Sequence, residues 1–155
     1  MSLPHFDAQL SLFGLPARGE QIFKMDDPYR QFWEKVYPLL VAGRERLASC
    51  YCEENGRPGI EPVLLLGISV LQFMERAPDR EAIKRLQYHL GWKLALGQEL
   101  RGETFHPTVL VRFRQRLIEQ EQGRLAFDLV LDGLKKEGLL KESRRQRIDS
   151  THVLG

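Results

Sequence analysis

The chain has 155 residues, of which 43% are hydrophobic and 28% are charged, and its formal net charge is +2. This composition is typical of a soluble globular domain and excludes an intrinsically disordered chain. The longest apolar stretch, 63–71, is far shorter than the roughly 20 residues that span a bilayer, and no signal-peptide pattern precedes it, so we expect no membrane span and a cytoplasmic location.

The N-terminal third predicts an arm followed by two helical pieces. Residues 1–26 show no sustained hydrophobic period, and we interpret them as an arm. Asp27-Pro28 is a helix-start signal, because an Asp side chain caps free N–H groups and a proline at the first helical position loses no hydrogen bond. A first helix is therefore predicted over 28–37, with Pro38 interrupting or kinking it, and a second piece over 44–53.

The middle of the chain predicts a buried helix and an amphipathic one. The segment 62–76 has apolar residues on nearly all faces, which indicates a central, buried helix. After a proline break, a helix is predicted over 79–91 with Asp79 as its N-cap, and a histidine near its end is interpreted as structural. A short turn of helix over 92–96 and a surface loop over 97–104 follow.

A further amphipathic helix is predicted to begin at His106-Pro107-Thr108. On a helical wheel its inward face carries three apolar residues, Leu110, Phe113 and Leu117. Arg112 and Arg116 lie one turn apart on the opposite face, where they can reach DNA phosphates or a guanine edge; the alternative is an ordinary solvated face. Arg114 lies on the apolar side, where its guanidinium needs a carboxylate partner, so we interpret it as structural.

The C-terminal part predicts one more helix, a basic segment and a strand. The helix is predicted over 124–137, with Gly123 before it and Gly138 as its C-cap. Its inward residues are predicted to be Leu125, Leu129 and Leu134. Residues 101–155 contain 11 Lys+Arg and 8 Asp+Glu, and four of the cations lie close together: Lys141, Arg144, Arg145 and Arg147. Such a segment attracts phosphate backbones, although the charge alone equally fits a solvated linker.

Beyond the basic segment, 146–153 reads better as a β-strand than as helix. The fold class is therefore all-α, a bundle of five to seven helices that ends in the start of a β-strand. The helices over 79–91 and after His106 are predicted to form a helix-turn-helix-like pair. The pair would be divergent, because far more residues separate the two helices than the three or four of the usual motif.

Three stretches of the sequence carry a family resemblance. They are Gly56-Arg57-Pro58 before the apolar helix, the run from Phe105 to Leu117 that contains F-R-x-R-L, and Arg147-Ile148-Asp149-Ser150-Thr151-His152-Val153. Together they resemble DDE-type insertion-sequence transposases, in which a helical N-terminal domain precedes an RNase H-like catalytic domain. The resemblance spans about residues 20–155.

The resemblance implies a domain organisation and a catalytic residue. Residues 1–26 would be an arm, 27–140 a helical DNA-binding domain, and 141–155 a basic linker with the first strand of an RNase H-like domain. Asp149 would be catalytic and would bind metal, as the first of three acids that hold Mg²⁺ in the complete enzyme. The other two acids would lie beyond Gly155, so we expect no cofactor and no catalysis in this fragment alone.

The implied function is the recognition of insertion-sequence ends for DNA transposition. Double-stranded DNA would be the partner, and the DNA-binding residues would be Arg112, Arg116, Lys141, Arg144, Arg145 and Arg147. Whether the domain also forms a homodimer is left open. The alternative is a helical protein-interaction module that mediates transposase self-assembly without DNA contact. An intact small enzyme is disfavoured, because no nucleophile with its base, metal cluster or phosphate loop is visible in the sequence.

Overall fold

The computed structural model describes residues 2–6, 21–48, 51, 59–102 and 104–139, which are mostly helical. The helices are α1 (Pro28–Gln31), α2 (Tyr37–Ala42), α3 (Arg44–Leu47), α4 (Pro62–Glu75), α5 (Asp79–Tyr88), α6 (Leu90–Ala95), α7 (Thr108–Glu119) and α8 (Glu121–Lys136), with a π-helical segment, Phe32–Val36, between α1 and α2. The predicted all-α fold is confirmed for these residues, none of whose helices is long and apolar enough to cross a bilayer. The predicted strand over 146–153 lies outside the described residues.

The first helical segment continues through Pro38, where the sequence predicts an interruption or a kink. Asp27 caps α1 as predicted, because its carboxylate accepts the N–H groups of the second and third helical residues. The N–H of Tyr37 then reaches back five residues to the carbonyl of Phe32, which defines a π turn just before the proline. A wider turn relieves the crowding that a proline ring causes in the preceding turn, so the helix continues to Ala42. The predicted interruption at Pro38 is therefore wrong, whereas a π turn at this position is the kind of local distortion that the alternative, a kink, implies.

Helix α4 is the centre of the core, as predicted. Its residues 62–71 are all buried, and their aliphatic side chains join one apolar cluster with side chains from the surrounding helices. Neighbouring helices approach its backbone at Gly67, where a Cβ would lie 2.5 Å from Leu96 and 3.2 Å from Leu40. The helix ends at Glu75, and the residue that caps it, Arg76, has a left-handed φ of 54°, which is usually adopted by glycine.

The boundary between α5 and α6 differs from the predicted one. Helix α5 ends at Tyr88, and the extended His89 accepts the N–H of Trp92 on its Nδ1 at 3.2 Å, so that it caps α6. The histidine is therefore structural, as predicted, but it acts as a hydrogen-bond acceptor. The predicted N-cap of α5, Asp79, is instead its first helical residue, and Pro78 occupies the cap without a side-chain bond.

Two predictions for α8 are wrong. The break before it lies at Gln120, which is extended, and Gly123 lies inside the helix and is buried. Of the three predicted inward residues only Leu134 is buried, and the rest of the buried face consists of smaller residues, namely Gly123, Ala126 and Val130. Leu125 and Leu129 point outward and are 41% and 51% exposed. The predicted C-cap, Gly138, is confirmed with a φ of 69°, since the N–H groups of residues 138 and 139 close the last turn.

The small residues of α8 explain why its leucines point outward. A Cβ on Gly133 would collide with the side chain of Leu39 on α2, and Ala126 lies 3.7 Å from the position of a Cβ on Gly43. Helix α8 therefore packs closely against α2 and α3 through a face of small side chains. The larger Leu125 and Leu129 do not belong to that face.

The first residues of the chain lie against this helical body. Arg44 donates to the carbonyl of Pro4 at 2.8 Å, and its guanidinium lies 4.9 Å from the centre of the Phe6 ring. The same guanidinium binds Glu61 through two hydrogen bonds, at 2.8 and 3.2 Å. Arg44 thus ties residues 2–6 to the N-terminus of the central helix.

Candidate nucleic-acid interface

The residues of α7 that face the core are those that the helical wheel predicts. Leu110 and Phe113 are fully buried and Leu117 nearly so, which places the opposite face of the helix toward solvent. The Nδ1 atom of His106 accepts the N–H of Thr108 at 3.2 Å and lies 2.9 Å from its hydroxyl oxygen. His106 therefore supplies the hydrogen-bond acceptor that a shorter polar residue usually supplies at a helix N-terminus.

Arg114 has the carboxylate partner that its position on the wheel requires. Its two terminal nitrogens donate to the two carboxylate oxygens of Asp79, each at 2.7 Å, and Gln72 donates to the same carboxylate at 2.8 Å. The Arg114 guanidinium holds the pKa of Asp79 below its usual range. The prediction that Arg114 is structural is confirmed, since this forked pair joins α7 to the start of α5.

The two arginines predicted to contact DNA have different surroundings. Arg112 is exposed, and within the described ranges no carboxylate forms an ion pair with it. Arg116 is half-buried, and its guanidinium lies 5.8 Å from the centre of the Tyr51 ring. Arg112 thus projects from the open face of α7, whereas Arg116 lies at its flank.

The open face of α7 has a composition that suits a DNA groove. Its exposed residues before the last turn are Thr108, Val111, Arg112 and Gln115, and the first acid on this face is Glu119. Arginine pairs with guanine edges, glutamine with adenine edges, and threonine with either edges or phosphates, while an α-helix fits the width of the major groove. This face can therefore supply both base contacts and a positive charge.

The other predicted site residues lie outside the described residues. They are Lys141, Arg144, Arg145, Arg147 and Asp149, so their roles stay predictions. In the part of the chain that the structure describes, no three or more His, Cys, Asp or Glu side chains are grouped to hold a metal ion.

The structure contains a polar cluster that the sequence did not indicate. The carboxylate of Glu75, at the end of α4, accepts three hydrogen bonds: from the Tyr29 hydroxyl at 2.6 Å, Arg85 at 2.5 Å and the Trp92 indole at 3.0 Å. Burial and the bond to Glu75 raise the pKa of Tyr29 to about 12. The only sequence signal is an acid at the end of a helix that is otherwise apolar, because its partners come from three other helices.

Most of the described helices lie within a sequence range that matches a known protein family. Residues 18–116 match the family described as Transposase domain (DUF772), a range that extends from the segment before α1 through most of α7. Neither the comparison with curated proteins nor the comparison with solved structures returned a match. Because the matched range covers well over half of the chain, the protein belongs to the DUF772 transposase domain family.

Proposed function

We propose that this helical domain binds double-stranded DNA at insertion-sequence ends, as the N-terminal part of a DDE-type transposase. The observation that carries the proposal is the open face of α7, where Arg112 projects toward solvent while neighbouring Arg114 is held by Asp79. In a chain of the transposase family, an exposed helix face with an arginine and few acids has the chemistry that duplex DNA requires.

In this proposal the contacts divide into two kinds. Arg112 and its neighbours on α7 contact base edges in the major groove, and Arg116 contributes from the flank of the same face. The basic segment contacts backbone phosphates through Lys141, Arg144, Arg145 and Arg147. In the complete transposase Asp149 would be the first of the acids that hold Mg²⁺. The bound Mg²⁺ would activate the nucleophile and stabilise the leaving oxygen. The protein would then act in the cytoplasm.

The two kinds of contact predict different binding defects. Arg112→Ala is expected to cost on the order of 1–3 kcal/mol on a terminal-repeat duplex and much less on a scrambled duplex, because a base contact is lost. Replacing Arg144, Arg145 and Arg147 with Ala should weaken binding to both duplexes alike and flatten the salt dependence, because phosphate contacts are lost. Fluorescence anisotropy at several salt concentrations measures both effects.

Arg124→Ala is the matched control for Arg112→Ala, since Arg124 is an exposed cation of α8 and each of these two variants loses one positive charge. It should leave the discrimination between the two duplexes unchanged. Circular dichroism checks that each variant is folded. A parent protein without salt-sensitive affinity for either duplex contradicts the proposed function and favours the protein-interaction module.

A second candidate function, self-assembly through α8, is favoured by the exposure of Leu125 and Leu129. These leucines lie one turn apart on the outer face of α8 and are 41% and 51% exposed. The exposed surface of the helix also carries charged residues of both signs along its length: Glu121, Arg124, Asp128, Asp132, Lys135 and Lys136. A pair of exposed leucines among charges of both signs has the chemistry of a protein contact, and the occupant that we propose for this face is a second copy of the chain.

Replacing Leu125 and Leu129 with Ser is expected to shift a concentration-dependent dimer toward the monomer, because the apolar centre of the interface is lost. Sedimentation velocity over a range of protein concentrations measures the shift. The control replaces Leu90 and Leu100, which are 46% and 62% exposed elsewhere, and it should leave the association unchanged. A parent chain that is monomeric at all concentrations excludes self-assembly through this face.

A further inference from the structure

The acids around α5 are bound by arginines within the fold. Glu75 binds Arg85 at 2.5 Å, Glu81 binds the same arginine at 3.3 Å, and Asp79 binds Arg114 through two bonds of 2.7 Å. Arg85 and Arg114 are both intermediate in exposure rather than fully exposed. The negative charge of this region is therefore compensated internally.

The remaining cations of the same region point outward. Arg76, Arg80 and Lys84 are all exposed, and none forms an ion pair in the described part of the chain. Arg80 and Lys84 lie one turn apart on α5, and Tyr88 lies one turn further on with 75% of its surface exposed. We call Arg76, Arg80, Lys84 and Tyr88 the α5 stripe.

We infer that the α5 stripe is a second contact surface for the backbone phosphates of duplex DNA. This inference rests on the proposed function and extends it from α7 to a surface of its own. The three cations supply the charge that phosphates attract, and the Tyr88 hydroxyl is a donor of the kind that often binds phosphate oxygens. The Asp79 to Arg114 ion pair holds the start of α5 to α7, so the stripe begins beside the helix proposed to enter the groove.

Another exposed helix is less suitable for the same role. The outer side of α8 also carries cations, but three exposed acids accompany them: Glu121, Asp128 and Asp132. Acids on the surface repel the phosphate backbone and offset the attraction of neighbouring cations. The α5 stripe has no such exposed acid apart from Glu81, which is paired with Arg85.

The test removes two cations from the stripe and two from α8. Replacing Arg80 and Lys84 with Ala should lower affinity for a terminal-repeat duplex and a scrambled duplex by the same factor. The negative slope of log affinity against log salt concentration should become shallower by about 1.8, since each lost phosphate contact reduces its magnitude by about 0.9. Replacing Lys135 and Lys136 with Ala changes the net charge equally and should leave the slope almost unchanged.

The outcomes separate this inference from the proposed function. If the parent binds DNA and the α5 variant keeps the full salt slope, the stripe is not a contact surface although the proposed function stands. If both double variants flatten the slope equally, the effect is one of net charge and the inference is wrong. If the parent binds neither duplex, the proposed function fails and this inference fails with it. Circular dichroism verifies folding, which we expect to persist because the replaced side chains are exposed.

Discussion

Leu66→Asp is expected to unfold the domain. Leu66 is completely buried in the centre of α4, in a stretch where every residue from 62 to 71 is buried. The substitution removes an apolar side chain and leaves a carboxylate without a partner or a route to water, at a cost on the order of 5 kcal/mol or more. Since domains of this size are stable by only about 5–15 kcal/mol, circular dichroism should show the loss of most helical signal or of a cooperative melt.

Phe73→Asp is the matched control on the same helix. Phe73 lies beyond the buried stretch and is 47% exposed, so the new carboxylate remains in water. The free energy of unfolding should fall by about 1–3 kcal/mol, because roughly half of the Phe73 side chain loses its apolar contacts, and the variant should still melt cooperatively. A Leu66→Asp variant that melts close to the parent would show that α4 is not the central helix.

Glu75→Gln is expected to lower the free energy of unfolding by about 2–4 kcal/mol. The glutamine side chain has the same shape but only one accepting oxygen. Its oxygen can keep the hydrogen bonds from Arg85 and Trp92 while its amide nitrogen donates to the Tyr29 hydroxyl, so the loss comes from the negative charge that strengthens these bonds. The side chain of Glu75 is 24% exposed, so water only partly screens the charge that is lost. Urea denaturation followed by circular dichroism measures the loss.

Glu81→Gln makes the same chemical change against the same arginine. Glu81 binds Arg85 at 3.3 Å from one turn earlier on α5, and its side chain is 44% exposed. Exposed pairs of this spacing contribute only about 0.3–0.5 kcal/mol, so the loss should be several times smaller than for Glu75→Gln. Equal losses for the two variants would mean that the Glu75 cluster adds nothing beyond an ordinary surface ion pair.

The internal ion pairs connect stability to the proposed surface. Glu75 and Asp79 bind Arg85 and Arg114 within the fold, and the unpaired cations of the α5 stripe consequently dominate the outer side of α5. The face of α8, with its leucines and mixed charges, has the different chemistry of a protein contact. The two faces can therefore be tested independently, by salt-dependent DNA binding and by sedimentation.

The sequence by itself determined the features that depend on neighbouring residues along the chain. Apolar residues on all faces of 62–76 were sufficient to identify the central helix, because a surface helix requires a polar side. Asp27 and Gly138 were recognisable as caps, since capping acts within one helical turn. The position of Arg114 on the apolar side of its wheel was likewise enough to require a carboxylate partner.

Only the tertiary structure decided features that depend on how distant segments meet. It selected Asp79 as the partner of Arg114 and brought three donors to Glu75, because those residues lie on other helices. It also decided which face of α8 is buried. Hydrophobicity alone favours the burial of Leu125 and Leu129. Close packing of α8 against α2 and α3 requires small side chains, so the face with glycine and alanine is buried and the two leucines remain exposed.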